Sequence, residues 1–289
     1  MECHRCNDLE IIFDFGGRDD WGKFSFPVWY GLPVKINWNE YEFDFNLLGN
    51  LKRITGKSSV WPNPSEWLKR TDGNDLVYYG TYAYQYSYDL IKNYYIPYTG
   101  RYDSELFKEK LLESSHVRKG LIAFDKLVVK AGEAVKIAKN SRVKEFLNRI
   151  AVRNRDALSN EACRLHSIID GNLPVLPPDT IDVDYEVIPL MIMKGCSSNC
   201  GFCRFKNQRE LKVRSGKNIK RQLTSLRKMY GEDLINYNSL VLGQNDALFA
   251  LETVSNEILD MSYEMLNMGK SYHRKGPSLF LFGGVGSFL

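Results

Sequence analysis

One stretch of ten residues constrains this chain more than any other: Gly195-Cys196-Ser-Ser-Asn-Cys200-Gly-Phe202-Cys203-Arg204. Three cysteines stand at spacing C-x3-C-x2-C, with an aromatic immediately before the last. An apolar run from Val187 to Met193 precedes them and reads as a buried strand. A helical pattern begins near Asn218. The thiols therefore fall on a loop leaving the carboxyl end of a strand, where α/β folds gather their chemistry.

Three thiolates on one short loop can converge on a single inorganic centre. Iron–sulfur clusters usually take four cysteines. A loop with three holds three irons of a 4Fe–4S cube and leaves the fourth open, much as catalytic zinc keeps an open position. The stretch resembles the signature of the radical SAM superfamily, C-x3-C-x-aromatic-C, at each defined position: Cys196, Cys200, Phe202 and Cys203. The resemblance implies that the open iron chelates the amino and carboxylate groups of S-adenosylmethionine. It also implies that the backbone near Phe202 lies against the adenine.

Other readings of the cysteines compete with this one. Three within eight positions, beside Gly, Ser and Asn, make a poor core segment. A zinc site could pair Cys200 and Cys203 with Cys3 and Cys6. Zinc ribbons usually separate their pairs by roughly 15–20 residues, and here almost two hundred intervene. That solution also leaves Cys196 without a role. A disulfide fits less well, because nothing suggests export.

After residue 184 the rhythm is strand–helix–strand–helix–strand. The strands are Val187 to Met193, Ser239 to Leu242 and Leu279 to Phe282. The first helix runs from about Asn218 to Tyr230, with Ile219, Leu223, Leu226 and Tyr230 on one face and Gly231 as its stop. The second begins near Ser255, with Ile258, Met265 and Met268 on its apolar face and Gly269 as its stop. This order implies a parallel sheet. Pro189 argues that the first strand lies at an edge, since proline cannot donate to both ladders. The expected class is therefore α/β. The resemblance makes it a partial (β/α) TIM-like barrel of radical SAM type, with three β/α units preceded by an α+β N-terminal domain. That fold is typically six units, so the expectation is a truncated core or one completed by a partner.

The resemblance names a second site. In the superfamily a Gly-Gly-Glu-like stretch after strand two receives the amino group of S-adenosylmethionine. The matching place is Gly243-Gln244-Asn245-Asp246. Gln and Asn replace the second Gly and the Glu, and Asp comes one place later. Either Asp246 or backbone carbonyls then accept from the ammonium. A plain polar loop is the competing reading.

From Arg204 to Lys228 there are ten Lys and Arg against one acidic residue, Glu210. Arg204 or Arg214 could hold the methionine carboxylate. The patch could dock an acidic electron donor such as flavodoxin or ferredoxin, or bind RNA phosphates. It could equally be a solvated helix face. The net charge of +4 does not by itself argue for a nucleic-acid partner. Gly283-Gly-Val-Gly286 matches neither the P-loop nor the dinucleotide fingerprint.

The first 172 residues read as a separate α+β domain, β-rich over 1–102 and helical over 103–171. Phe24 to Tyr30 and Tyr41 to Phe45 alternate as strands do, and Leu48-Gly-Asn50 turns into a strand at Leu51 to Ile54. Ser65 is expected to cap a short helix reaching Arg70. The tyrosine-dense stretch from Tyr78 to Tyr95 reads as a small β-rich core rather than a stacking surface. Three stripes follow: Leu121, Phe124, Val128 and Val135; Val143, Leu147 and Ile150; Leu158, Ala162, Leu165 and Ile169. Cys163 on the last helix reads as a small buried residue, and Cys3 and Cys6 read as a frayed terminus. A proline-rich linker over 173–183 separates this domain from the core at 184–289.

No apolar run approaches the roughly 20 residues of a membrane span, and the first residues carry no signal core. The cytoplasm is the expected compartment, since it suits free thiols and an oxygen-labile cluster. The expected function is a radical SAM enzyme that cleaves S-adenosylmethionine reductively to a 5′-deoxyadenosyl radical, which takes hydrogen from an unknown substrate. The alternative is a non-catalytic zinc or iron–sulfur module that binds RNA or a protein through its basic face.

Overall fold

The computed structural model describes residues 1–14, 32–57, 59–61, 66–70, 77–80, 87–89, 115–171, 187–195, 211–243, 247–250, 256–272 and 276–281. The chain divides into two compact units, Met1–Ala162 with Pro174–Asp184, and Cys163–Leu173 with Tyr185–Leu289. Its class is mixed α/β.

The first unit is an antiparallel meander. Strands β1 (Glu2–Cys6), β2 (Leu9–Phe13), β3 (Val34–Trp38), β4 (Tyr41–Phe45), β5 (Leu51–Gly56), β6 (Glu66–Lys69), β7 (Val77–Gly80) and β8 (Ser87–Asp89) pair in chain order. Alternation gives the sheet two different faces. The register sets Ile11, Ile36, Phe43, Ile54 and Leu68 in one row, and all five are fully buried. Helices α1 (Ser115–Ala134) and α2 (Ser141–Ala151) cover this face. Phe124 of α1 meets Phe43 at 6.4 Å between ring centroids, and Phe146 of α2 meets Phe13 at 5.6 Å and Phe45 at 6.0 Å. Each such side chain contributes about 1.5–3 kcal/mol by leaving water.

The opposite face is polar. Lys35, Asp44 and Arg53 stand side by side across β3, β4 and β5. Arg53 Nε donates to Asp44 Oδ2 at 2.6 Å. Burial nevertheless pushes the Asp44 carboxyl up, against the pull of Arg53 and Lys35.

Three expectations for the first 172 residues fail. Glu66–Lys69 is a strand paired between β5 and β7, not a helix after Ser65. Pairing across the sheet overrides the local cap signal there. The amino terminus is not frayed: Glu2 to Cys6 pair with Phe13 to Leu9. Residues 3 and 6 are an odd number apart, so they face opposite sides of the strand. Cys6 is buried, with its thiol donating to Ala134 O at 3.5 Å, while Cys3 is exposed. The two thiols therefore cannot chelate one ion as half of a zinc site. Lastly, Cys163 is exposed, because it falls off the buried stripe Leu158, Ala162, Leu165 and Ile169 of α3 (Arg155–Ile169). The expected strand at Phe24 to Tyr30, the proline-rich linker and most of the tyrosine-dense stretch lie outside the described residues.

In the second unit β9 (Ile188–Leu190), β12 (Ser239–Leu242) and β13 (Ser278–Leu281) form a parallel sheet in the order β9-β12-β13. Two further short strands, β10 (Met193–Lys194) and β11 (Lys212–Val213), pair antiparallel. Among the described residues β9 is an edge, as Pro189 demands, with Pro189 opposite Val241. Every residue of β12 is buried, the pattern of a central parallel strand. Helix α4 (Gly216–Tyr230) starts at Ser215, whose Oγ accepts from Asn218 N at 3.3 Å, and stops at Gly231. A one-turn helix, α5 (Ala247–Ala250), follows β12. Helix α6 (Asn256–Met265) buries Ser262, with Leu266 beside it, and ends before Asn267, which takes a left-handed φ of 54°. Its stop is thus Asn267 rather than Gly269.

Among the described residues Trp61 is the largest fully buried side chain, and it packs against two glycines. A Cβ at Gly56 would lie 2.6 Å from its ring, and one at Gly120 would lie 3.1 Å away. The substitution Gly56→Ala is expected to cost about 1–3 kcal/mol by overpacking. A lowered urea midpoint, followed by circular dichroism, is the measurement.

Candidate functional site

The sequence placed its thiols on the loop after the first parallel strand. The structure gives that loop a root. The backbone leaves β9 at Leu190, passes through buried Met191 and Ile192, and enters β10. Met193 pairs with Val213 and Lys194 with Lys212. Arg214 N donates to Ile192 O at 2.8 Å, extending the stem by one bond. The two ends of the segment 195–211 are therefore held side by side. Gly195 opens it at φ 83°.

Cys196, Cys200, Phe202 and Cys203 all lie within that loop and outside the described residues. Gln244, Asn245 and Asp246 lie outside them too. Besides Arg214, the nominated residue that is described is Gly243. It ends β12 at φ 82°, and its N donates to Leu190 O at 2.9 Å. A Cβ there would meet Ala247 Cβ at 3.2 Å. Glycine is required by both the backbone region and the close approach. The bond to Leu190 joins the carboxyl ends of β9 and β12. The cysteine loop and the Gly243 turn thus leave the same end of the sheet.

The donor set narrows the ion. Three thiols on one loop suit an iron–sulfur cluster or zinc and suit neither magnesium nor calcium. Among the described residues no group of three or more His, Cys, Asp or Glu could hold a metal ion.

Charge at the loop root is organised by Asp170, the residue after α3. Its Oδ2 takes an ion pair from Lys194 of β10. The same oxygen takes Arg214 Nη1 at 3.0 Å, and Asp170 O accepts from Arg214 Nη2 at 2.8 Å. Arg214 was one nominee for the methionine carboxylate. Its guanidinium is committed to Asp170 and only 6% exposed, which leaves Arg204 as that nominee. On α4, the cations Lys217, Lys220, Arg221, Arg227 and Lys228 are exposed, and no acidic residue shares the helix.

Two residues at the root escaped the sequence reading. Gln222 is buried and bonds both main-chain groups of Met191. Its signal was present: a polar residue beside the stripe Ile219, Leu223 and Leu226. Asp170 gave no such signal, since its partners are distant in the chain.

Comparisons with protein-family models, with curated proteins and with solved structures returned no match. Among the described residues no helix is long and apolar enough to cross a membrane.

The hydrogen bond from Lys194, and with it that from Arg214, holds the Asp170 carboxyl below the usual carboxylate range, against partial burial. A depressed folded value means stability that is present above the unfolded value, about pH 4, and lost as pH falls through the folded one. The melting temperature of the wild type is expected to exceed that of Asp170→Asn at neutral pH. The gap should shrink as pH falls below about 4. Paired thermal melts from neutral to acid pH check this.

Proposed function

We propose that this chain is a radical SAM enzyme whose metal centre is held by Cys196, Cys200 and Cys203. One observation supports the reading: in the sequence, C-x3-C-x-aromatic-C falls between the paired residues Lys194 and Lys212, shortly after the parallel strand β9. A loop so rooted lets three thiolates meet at one point without spanning the fold. The architecture this implies is a partial TIM-like barrel, of which β9, β12 and β13 would be the first three strands.

The residues divide the work. The three cysteines are ligands, not nucleophiles. By the resemblance, the backbone at Phe202 would lie along the adenine. Gly243 leaves space for the methionine end of S-adenosylmethionine, and Asp246 or the carbonyls of Gln244 and Asn245 accept from its ammonium. A 4Fe–4S cluster held by these cysteines would supply the electron for reductive cleavage of S-adenosylmethionine to methionine and a hydrogen-abstracting 5′-deoxyadenosyl radical. An acidic flavodoxin or ferredoxin fits as the electron donor, and the cytoplasm fits as the compartment.

The exposed cations of α4 favour a second reading, a non-catalytic metal module that binds RNA phosphates or an acidic protein. One experiment separates the two. Protein reconstituted anaerobically with iron and sulfide is expected to turn brown and, with dithionite, to release methionine and 5′-deoxyadenosine. The Cys196→Ala/Cys200→Ala/Cys203→Ala variant should do neither. A colourless product holding only zinc, with no release of methionine, would establish the module instead.

A further inference from the structure

We propose that Asp170 and Gln222 are positioning residues for the cysteine loop: Asp170 ties together the two strands at its root, and Gln222 fixes the backbone just before it. The inference rests on the reading that Cys196, Cys200 and Cys203 hold one metal centre.

The stem needs such support. β10 and β11 pair through only two residues each, Met193 with Val213 and Lys194 with Lys212. An isolated hairpin of ordinary length is already marginal in water. Asp170 comes from a third place in the chain and engages both sides. Lys194 is the last residue of β10, and Arg214 follows β11 directly. One carboxylate oxygen receives both cations, while the Asp170 carbonyl receives the second arm of Arg214 at 2.8 Å. Asp170 holds a φ of 50° in doing so, a region that Asp tolerates better than most residues.

Gln222 acts one step upstream. Met191 lies between β9 and β10, is buried, and among the described residues has no strand opposite it. Its N–H and C=O still require partners. Gln222 Oε1 accepts from Met191 N at 3.0 Å, and Nε2 donates to Met191 O at 2.9 Å. The side-chain amide stands in for a neighbouring strand. Nε2 also donates to Asn218 Oδ1 at 2.7 Å, which orients the amide. Neither residue lies in the loop. Both act through its root.

Residues that orient metal ligands from outside typically change metal affinity about 10–100-fold when altered. Cobalt(II) is the probe, added to the reduced, metal-free full-length chain without oxygen and read by its thiolate charge-transfer band. Asp170→Asn and Gln222→Leu are expected to raise the cobalt Kd about 10–100-fold while far-ultraviolet circular dichroism stays at the wild-type level. Asp170→Glu should recover part of the loss. Folded variants with the wild-type Kd overturn the proposal even if their melting temperatures fall, since a purely stabilising role moves only the latter. Should Asp170→Asn not fold, Lys194→Met removes a single arm of the clamp and is judged by the same Kd. A wild type without the band, or a triple cysteine-to-alanine variant that keeps it, sinks the three-thiolate reading and this inference with it. A band that needs the three cysteines but ignores Asp170 and Gln222 sinks the positioning role alone.

Discussion

The second unit depends on a stem of two residue pairs. Between Lys194 and Lys212 the chain makes an excursion that carries all three loop cysteines, and the pairing brings it back beside its starting point. Closing a loop costs entropy that grows only slowly with its length, so the excursion itself is tolerable. Holding the closure in one geometry is harder, and a two-pair ladder does not do it alone. Burial of Met191, Ile192 and Met193 contributes, and so do the bond from Arg214 N to Ile192 O and the Asp170 carboxylate. The Gly243 turn is joined to the same place through Leu190.

The first unit follows a different logic. Its sheet is a meander in which each strand pairs with its neighbours in sequence, and its apolar face is complete once α1 and α2 cover it. Local pairing of this kind orders a chain without long-range closure. Its cysteines illustrate how secondary structure overrides a motif. Cys3 and Cys6 match the spacing of half a zinc site, yet a strand sends them to opposite faces, and Cys6 becomes a small core residue against the end of α1. The same spacing on a turn would have converged. Spacing has chemical meaning only once the backbone that carries it is known.

Much of the second unit was legible because its signals are local. Pro189 placed β9 at an edge, Gly231 ended α4, and the apolar run Ser239 to Leu242 is a fully buried strand. The stripes of α1, α2 and α3 were legible for the same reason. What escaped was non-local. The strand at Glu66–Lys69 exists through its pairing with β5 and β7 and not through its own residues. The amino-terminal strand depends likewise on β2. Arg214 looked like a free cation in a basic run, and only its proximity to Asp170 showed otherwise. The eight nominated residues of the loop and of the turn after Gly243, Arg204 among them, were read from spacing, charge and resemblance alone.

Thiolates brought to one point repel one another, and the ion that they share must offset that repulsion. A flexible loop adds the loss of its own freedom to that cost. A loop with a fixed root has surrendered part of that freedom before any ion arrives, which is the general advantage of a preorganised site. The charges at this root suit the task. Lys194 and Arg214 place two cations at the mouth of a loop that would carry three thiolates, and Asp170 holds them there while cancelling only part of their charge. The same three side chains thus clamp the root and set its charge, so removing the aspartate would loosen the root and release the cations that it holds there.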